Sequence, residues 1–368
     1  MSLLYRKFTA ESLDEIFGHT VTVKDLKKRT QAKDLPNVIM FVGEPGSGKT
    51  ALANIIGKTI TCSKPLPDRQ PCNQCDNCKD VLDETYYKGV YLKNASRLNI
   101  DDVRKLEDEV MMSNPLSTTG NKVYIINEFQ AMKKNPDAMQ AMLMLLERKD
   151  IPNVYFILTS MSDDLPATVK KAISRRGKTY YLKKVESEDM FKLLAAIYKA
   201  ETKLEITDNI QKLLMTIIFN AEGSVGIAFS MLETLIYSEI NTEEELLSEL
   251  NIISETKLMY AITSLFKGDA KLFFESISEI NDEIYYKIRS SLVALLQYKM
   301  GVDIGGRAYY AKSYESKIEL DPLNKLIEIL NNIKAYPSAT DYNYVFTQCL
   351  IYMKSVKPKE VKKERKPL

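Results

Sequence analysis

Gly43-Glu44-Pro45-Gly46-Ser47-Gly48-Lys49-Thr50 fits the pattern G-x-x-x-x-G-K-[ST] at every fixed position. The apolar run Val38 to Val42 before it reads as a buried strand, and Ala51 to Thr61 after it holds good helix formers. A strand, a glycine-rich turn and a helix start aim several backbone N–H groups at one spot, where the helix dipole adds partial positive charge. That spot suits phosphate. The expected cradle is Gly43, Glu44, Pro45, Gly46, Ser47, Gly48, Lys49, Thr50 and Ala51. Lys49 would reach the β- and γ-phosphates, and the Thr50 hydroxyl would hold a bridging Mg²⁺. An ordinary glycine-rich turn would have to match every fixed position and both flanks by accident.

The chain has 368 residues, more than one hydrophobic core usually serves, so two or three domains are expected. Its apolar fraction of 45% is ordinary, and no apolar run approaches a membrane span, so no membrane partner is expected. Met1-Ser2-Leu3-Leu4-Tyr5-Arg6-Lys7 turns polar too early for a signal peptide, and the expected location is cytoplasmic. The net charge is +2, but residues 355–368 carry six Lys or Arg against two Glu, which leaves the remainder near −2. That tail is expected to be disordered and solvated. Without an overall basic signature, any contact with DNA has to come from local patches.

Val90-Tyr91-Leu92, Val123-Tyr124-Ile125-Ile126 and Val154-Tyr155-Phe156-Ile157-Leu158 read as further buried strands. Between them lie predicted helices over Ile100 to Met112, with Asn99 as cap, and over Asp137 to Glu147. Tyr180-Tyr181-Leu182 is the last strand candidate, with Ser174-Arg175-Arg176 at its opening. Strands alternating with helices argue an α/β domain with a parallel sheet, whose ligands sit beyond the carboxyl ends of the strands. The glycine-rich loop, Asn127-Glu128 and Ser160 all fall there. From Glu186 onward only helical periods follow: Glu188 to Tyr198, Asp208 to Asn220 and Val225 to Tyr237, then Glu244 to Leu250, Glu255 to Phe266, Ala270 to Ile280, Ile284 to Met300, Asn324 to Ala335 and Tyr342 to Met353. The expected domains are 1–184, nucleotide-binding; 185–241, a helical lid; 242–354, a separate helical domain; and 355–368, the tail.

Cys62, Cys72, Cys75 and Cys78 give Cys-x9-Cys-x2-Cys-x2-Cys, with Pro71, Asn73, Asp76 and Asn77 supplying turns. Four thiolates at this spacing suit one closed tetrahedral Zn²⁺, and a redox pair would leave two cysteines unexplained. Cys349, alone on an apolar helix face, reads as core. Glu128 is placed to orient and activate an attacking water. The residue before it is where such sheets usually carry an Asp that holds Mg²⁺ through its water shell, and here it is Asn127. An amide oxygen still accepts from a metal-bound water but brings no negative charge. Arg175 is of the type that meets phosphate bidentately, including in trans, although two adjacent arginines taken alone are usually surface charge.

Taken together these residues resemble a bacterial-type sliding-clamp loader subunit of the AAA+ class, the DNA polymerase III gamma/tau and delta-prime family, over about residues 3 to 240. Leu4-Tyr5-Arg6-Lys7 with Asp14-Glu15-Ile16-Phe17-Gly18 looks like the family's opening box, which puts Phe17 and Gly18 beside the adenine. The cysteines sit just after the P-loop helix, where the family carries its zinc module. Ser96-Arg97 with Asp102-Val103-Arg104, followed by Lys122 through Glu128, is similar to the family's segment leading into and through the Walker B strand. Ser174-Arg175 matches the Ser-Arg of the family's Ser-Arg-Cys motif, whose Arg serves the adjacent subunit's ATP. By this resemblance residues 242–354 are a collar for oligomer contacts.

Several positions depart from that pattern. Asn127 replaces the Walker B Asp, Arg176 the motif Cys, Met144 a common Lys, and Gly226, in Gly223-Ser224-Val225-Gly226, the sensor-2 Arg. Leu165-Pro166 to Ser174 is about three residues longer than the aligned pattern. Such divergence suits a phage or mobile-element loader. The resemblance implies an ATPase that binds ATP, Mg and Zn. It would assemble with other loader subunits and load a sliding clamp on primer-template DNA, with Lys49, Thr50, Glu128 and Arg175 carrying the chemistry. Asn127 and Gly226 favour the alternative of a scaffold that binds ATP without turnover. A helicase loader is a further alternative, which the placement of the zinc module opposes.

Overall fold

The computed structural model describes residues 3–112, 119–148, 152–238, 240–250, 252, 255–277, 281–302, 318–333 and 338–356. The chain divides into two compact units, Met1–Thr242 and Glu243–Leu368. The first is built on a parallel sheet of β1 (Val38–Gly43), β2 (Val90–Asn94), β3 (Lys122–Asn127), β4 (Val154–Ser160) and β5 (Gly177–Leu182), in the order β2-β3-β4-β1-β5. Around it lie α1 (Leu3–Lys7), α2 (Thr20–Ala32), α3 (Lys49–Thr61), α4 (Asp76–Leu82), α5 (Ile100–Met111), α6 (Pro136–Glu147) and α7 (Ala167–Arg176).

Alternation along β1 shows why the strand run is apolar throughout. Met40 and Val42 pack with Tyr124, Phe156, Val103, Met142 and Ile173, under α5, α6 and α7. Ile39 and Phe41 pack on the opposite face with Leu26, Leu52, Ile55 and Ile56 of α2 and α3. A strand covered on both faces has no polar side to show. An aromatic row crosses three strands, with the Tyr124 ring 5.0 Å from Tyr91 and 5.6 Å from Phe156. Asp25 of α2 ties that helix to β5, accepting from Lys178 Nζ at 2.8 Å and Tyr180 OH at 2.6 Å.

Both ends of α5 are capped as its sequence demands. Asn99 Oδ1 accepts from the N–H groups of Asp101 and Asp102 at 2.9 and 3.0 Å, and Asp102 returns the bond to Asn99 N at 3.1 Å. At the other end the buried Lys122 donates to the carbonyls of Glu109 (2.7 Å), Val110 (3.1 Å) and Met112, placing a cation on the negative helix end.

Three helices complete this unit: α8 (Ser187–Thr202), α9 (Asp208–Ala221) and α10 (Val225–Tyr237). They share a small core that includes Leu194, Leu214, Ile217 and Leu232, all fully buried. The second unit is helical among its described residues: α11 (Glu243–Glu249), α12 (Glu255–Lys267), α13 (Ala270–Ser276), α14 (Asp282–Lys299), α15 (Leu320–Asn331) and α16 (Ala339–Ser355). Its core gathers Leu265, Phe273, Ile288, Leu326, Phe346 and Cys349. Cys349 is wholly buried, and burial pushes its thiol up to about 12, as expected of a cysteine that only packs. No helix among the described residues is long and apolar enough to cross a membrane.

Four expectations need correction. Ser174-Arg175-Arg176 does not open a strand; it is the last turn of α7, and β5 starts at Gly177 opposite Val38. A Cβ at Gly177 would lie 1.8 Å from the Val38 carbonyl oxygen, so only glycine lets the chain leave the helix and pair at once. The helix expected from Asn324 starts earlier, at Leu320, because Pro322 sits in its first turn, where a missing N–H costs nothing; it also ends earlier, at Asn331. α13 stops at Ser276, whose Oγ bonds back to the carbonyls of Leu272 (2.7 Å) and Phe273 (2.8 Å). α4, which carries Cys78, was not foreseen. Residues 278–280, 334–337 and 357–368, parts of the expected helices and tail, lie outside the described residues.

Gly177→Ala is expected to cost roughly 3 kcal/mol or more in urea unfolding, since backbone would have to move to admit the methyl. Gly226→Ala, whose Cβ would meet nothing within 4 Å, is expected to be neutral or stabilising by up to about 1 kcal/mol. Equal effects would show that the Gly177–Val38 contact does not set the strand start.

Candidate nucleotide site

β1 ends at Gly43, and the loop that follows turns back on itself through Gly46 (φ 77°) and Gly48 (φ 86°) into α3. Both glycines are in the left-handed region, where a side chain would be strained. Lys49 Nζ lies across the loop mouth, donating to the carbonyls of Gly43 (2.7 Å) and Glu44 (2.6 Å). Burial lowers its pKa, and the Glu44 carboxylate opposes that fall. Phosphate oxygens would replace these carbonyls as its partners. Thr50, half-buried, follows it in the first turn.

The loop faces a pocket with two chemical halves. Gly46, Ser47, Gly48, Lys49, Thr50 and Ala51 form the polar half. Tyr5, Phe8, Ile16 and Phe17 from the N-terminal segment, with Leu193, Val225 and Phe229 from α8 and α10, form the apolar half. Phe17 lies in that apolar half, and Gly18, with φ 70°, follows it. The α9–α10 corner rests on the loop. Val225 N donates to Gly46 O at 3.2 Å, and a Cβ at Gly46 would lie 1.9 Å from Ser224 Oγ. Lys184 pairs with both Glu44 (3.2 Å) and Glu222 (3.5 Å), joining the same corner to the loop.

His19 was missed by motif reading. Its Nε2 lies 2.9 Å from Ser47 O, and because a carbonyl only accepts, that nitrogen carries the proton. Burial lowers the ring's pKa and favours the neutral form that fits this bond. The available signal was its position: the single histidine of the chain, directly after Gly18 and ahead of a helix.

Asn127 and Ser160 end β3 and β4, and Glu128 is next along. Register places Ser160 opposite Val42 of β1, so Ser160 borders the P-loop strand, and Asn127 lies one strand further out on β3. Asn127 Oδ1 accepts from Thr159 Oγ1 at 2.9 Å, a contact between two positions not paired in the motif reading. Ser160 Oγ lies 2.9 Å from Gln130 Oε1 and 2.6 Å from Ser162 O. Glu128 adopts a left-handed backbone (φ 56°), uncommon outside glycine, and its exposed side chain has no partner among the described residues.

Arg175 is not brought to this site. It is exposed at the end of α7, next to the start of β1, whereas the P-loop leaves the other end of that strand, on the order of 17 Å away. Its neighbour Arg176 is occupied differently: it donates to the carbonyls of Glu147 (2.7 Å) and Arg148 (3.4 Å), capping the end of α6.

The four cysteines do converge. Their Sγ atoms all lie within 4.8 Å of one another, Cys62 being 3.5 Å from Cys72 and 3.9 Å from Cys75. A tetrahedral ion with bonds of about 2.3 Å to sulfur has edges of about 3.8 Å, so the donor set fits Zn²⁺. Backbone N–H groups of Cys72 and Cys75 also point at sulfurs, at 3.4 and 3.3 Å, as thiolates favour.

Because the two arginines differ in partners, Arg176→Ala is expected to destabilise the chain by about 1 kcal/mol, and Arg175→Ala to leave thermal unfolding unchanged. A destabilised Arg175→Ala protein would mean that the side chain has structural work within its own chain.

Residues 18–186 match the family described as DNA polymerase III, delta subunit. Over 95% of its length the chain is 24% identical to DNA polymerase III subunit tau of Bacillus subtilis, of which it spans 62%. It is 27% identical to DNA polymerase III subunit gamma/tau of Mycoplasma genitalium, over 75% of this chain and 45% of that protein. Among solved structures it is similar to the Thermotoga maritima RuvB Holliday junction branch migration motor, at 15% identity and a TM-score of 0.46 over 76% of this chain and 91% of that one. Over residues 18–186 the chain is thus similar to the DNA polymerase III delta-subunit family, and over most of its length to the tau and gamma/tau subunits of DNA polymerase III.

Proposed function

We propose that this chain is an ATP-binding subunit of a sliding-clamp loader, which uses ATP to close a ring of subunits around a clamp and primer-template DNA. The observation that carries the reading is the pairing of an intact P-loop with an Arg175 that lies at the wrong end of its own sheet to serve it. An arginine so placed is useful to a neighbour's nucleotide. ATP bound between subunits then has a greater affinity for the closed ring than for separate chains, which is what drives assembly.

Within the site, the loop N–H groups and Lys49 would hold the phosphates, and the apolar half of the pocket would take the base. Mg²⁺, bound with the nucleotide beside Thr50, would supply charge on the β- and γ-phosphates. Glu128 would orient and deprotonate the attacking water. Residues 185–241 would act as a lid, residues 242–354 as the collar, and Cys62, Cys72, Cys75 and Cys78 would hold one structural Zn²⁺. The clamp, the DNA and the cytoplasmic setting belong to the same proposal.

Asn127 and Gly226 favour a second reading, a scaffold that binds ATP without turnover. Asn127 brings no charge, and its Oδ1 already accepts from Thr159. Gly226 lines the pocket without a donor. Both losses fall where charge grows in the transition state.

In a reconstituted complex with clamp and primed DNA, Glu128→Gln is expected to retain ATP and abolish its turnover. Asn127→Asp should speed it, and Arg175→Ala should slow it by up to ~10³-fold while sparing ATP binding to the isolated chain. A complex in which Glu128→Gln changes nothing would establish the scaffold reading instead. Metal analysis of protein purified under reducing conditions is expected to give close to one zinc per chain, and chelation to loosen residues 62–78. Zinc-free protein with that segment intact would remove the metal assignment.

A further inference from the structure

The cysteine loop is stitched to the wall of the candidate nucleotide pocket by hydrogen bonds, most of them at least partly buried, that metal binding alone does not require. Lys58 of α3, 1% exposed, donates from Nζ to Glu11 O (3.1 Å) and Asn73 Oδ1 (2.7 Å). Asn73, left-handed at φ 55°, sends Nδ2 back to the same Glu11 carbonyl at 3.3 Å. Gln70, 4% exposed, accepts from Leu13 N at 2.8 Å and donates to Asp14. Gln70 and Asn73 flank Cys72, so their positions depend on how the four sulfurs are held.

The segment they grip is the pocket wall. Thr9 and Ala10 on one side of it, and Glu15, Ile16 and Phe17 on the other, line the apolar half of the pocket. Buried polar groups that lose their partners cost about 1–3 kcal/mol each, so displacing Gln70 and Asn73 would loosen residues 11–14 from this course. The phosphate half of the pocket is held by β1 and the first turn of α3, at the opposite end of that helix from Lys58 and Cys62.

We propose that Lys58, Gln70 and Asn73 are positioning residues through which the four-cysteine loop sets the base side of the pocket, so that metal occupancy at Cys62, Cys72, Cys75 and Cys78 tunes nucleotide affinity. The inference rests on the nucleotide reading of the pocket. The coupling is reciprocal: bound ATP tightens retention of the metal.

The test uses the full zinc-loaded chain, its chelated form, and zinc-loaded Gln70→Ala and Lys58→Met. Affinities for ATP and for inorganic tripolyphosphate are measured by calorimetry, and amide hydrogen exchange is followed over residues 8–17. Chelation and Gln70→Ala are each expected to weaken ATP about tenfold while leaving tripolyphosphate unchanged, and to speed exchange in 8–17. Chelating the Gln70→Ala protein should add little, because both act through one contact set. If Gln70→Ala does not fold, Lys58→Met is expected to give the same split. Parallel loss of both ligands, or unchanged exchange in 8–17, overturns the proposal. If the zinc-loaded wild type binds neither ligand, the nucleotide reading fails, and the exchange result alone decides whether the loop holds the wall.

Discussion

The pairing of β1 between β4 and β5 is the constraint on which the rest of the first unit depends. It aims the P-loop out of the carboxyl end of the sheet, sets Ser160 beside Val42 and fixes Arg175 at the opposite edge. It also demands a glycine at the α7–β5 junction, where the Val38 carbonyl leaves no room for a methyl. Because the strands are covered on both faces, the sheet is rigid, and the groups at its end are held by core packing rather than by loop conformation.

That rigid frame carries a site with selective losses. On the proposed reading, the left-handed glycines, Lys49 and Thr50 would hold the triphosphate. On the same reading, Asn127 and Gly226 stand where groups that answer developing charge would be expected. Binding and turnover would then be separable, since rate acceleration depends on charge stabilised in the transition state more than nucleotide affinity does. The Lys184–Glu44–Glu222 pairs and the Val225–Gly46 bond join the loop to the α9–α10 corner, so a change in the loop reaches α9 and α10 directly.

Much of this was legible in the residues. The strand runs, the P-loop and the Asn99 cap each carry a local signal whose physics is short-range, and the cysteine spacing foretold a convergence that the fold delivers. What escaped depends on contacts distant in sequence. Arg176 reads as surface charge until α6 ends beside it. His19 acquires its partner only when α2 packs against the loop, and Thr159 meets Asn127 only through sheet order. The helix over Ala167–Arg176 carries only Val169, Ala172 and Ile173 as buried apolar residues, too few to stand out as a helical period, and its end is set by backbone proximity at Gly177. α4 is too short to show a period.

The account stands most directly on whether the isolated chain holds ATP through this loop. Calorimetric titration of the wild type with Mg-ATP is predicted to show saturable binding of one nucleotide per chain, abolished in a folded Lys49→Ala variant. Saturable binding that survives Lys49→Ala unchanged, or no binding to the zinc-loaded wild type, would contradict it.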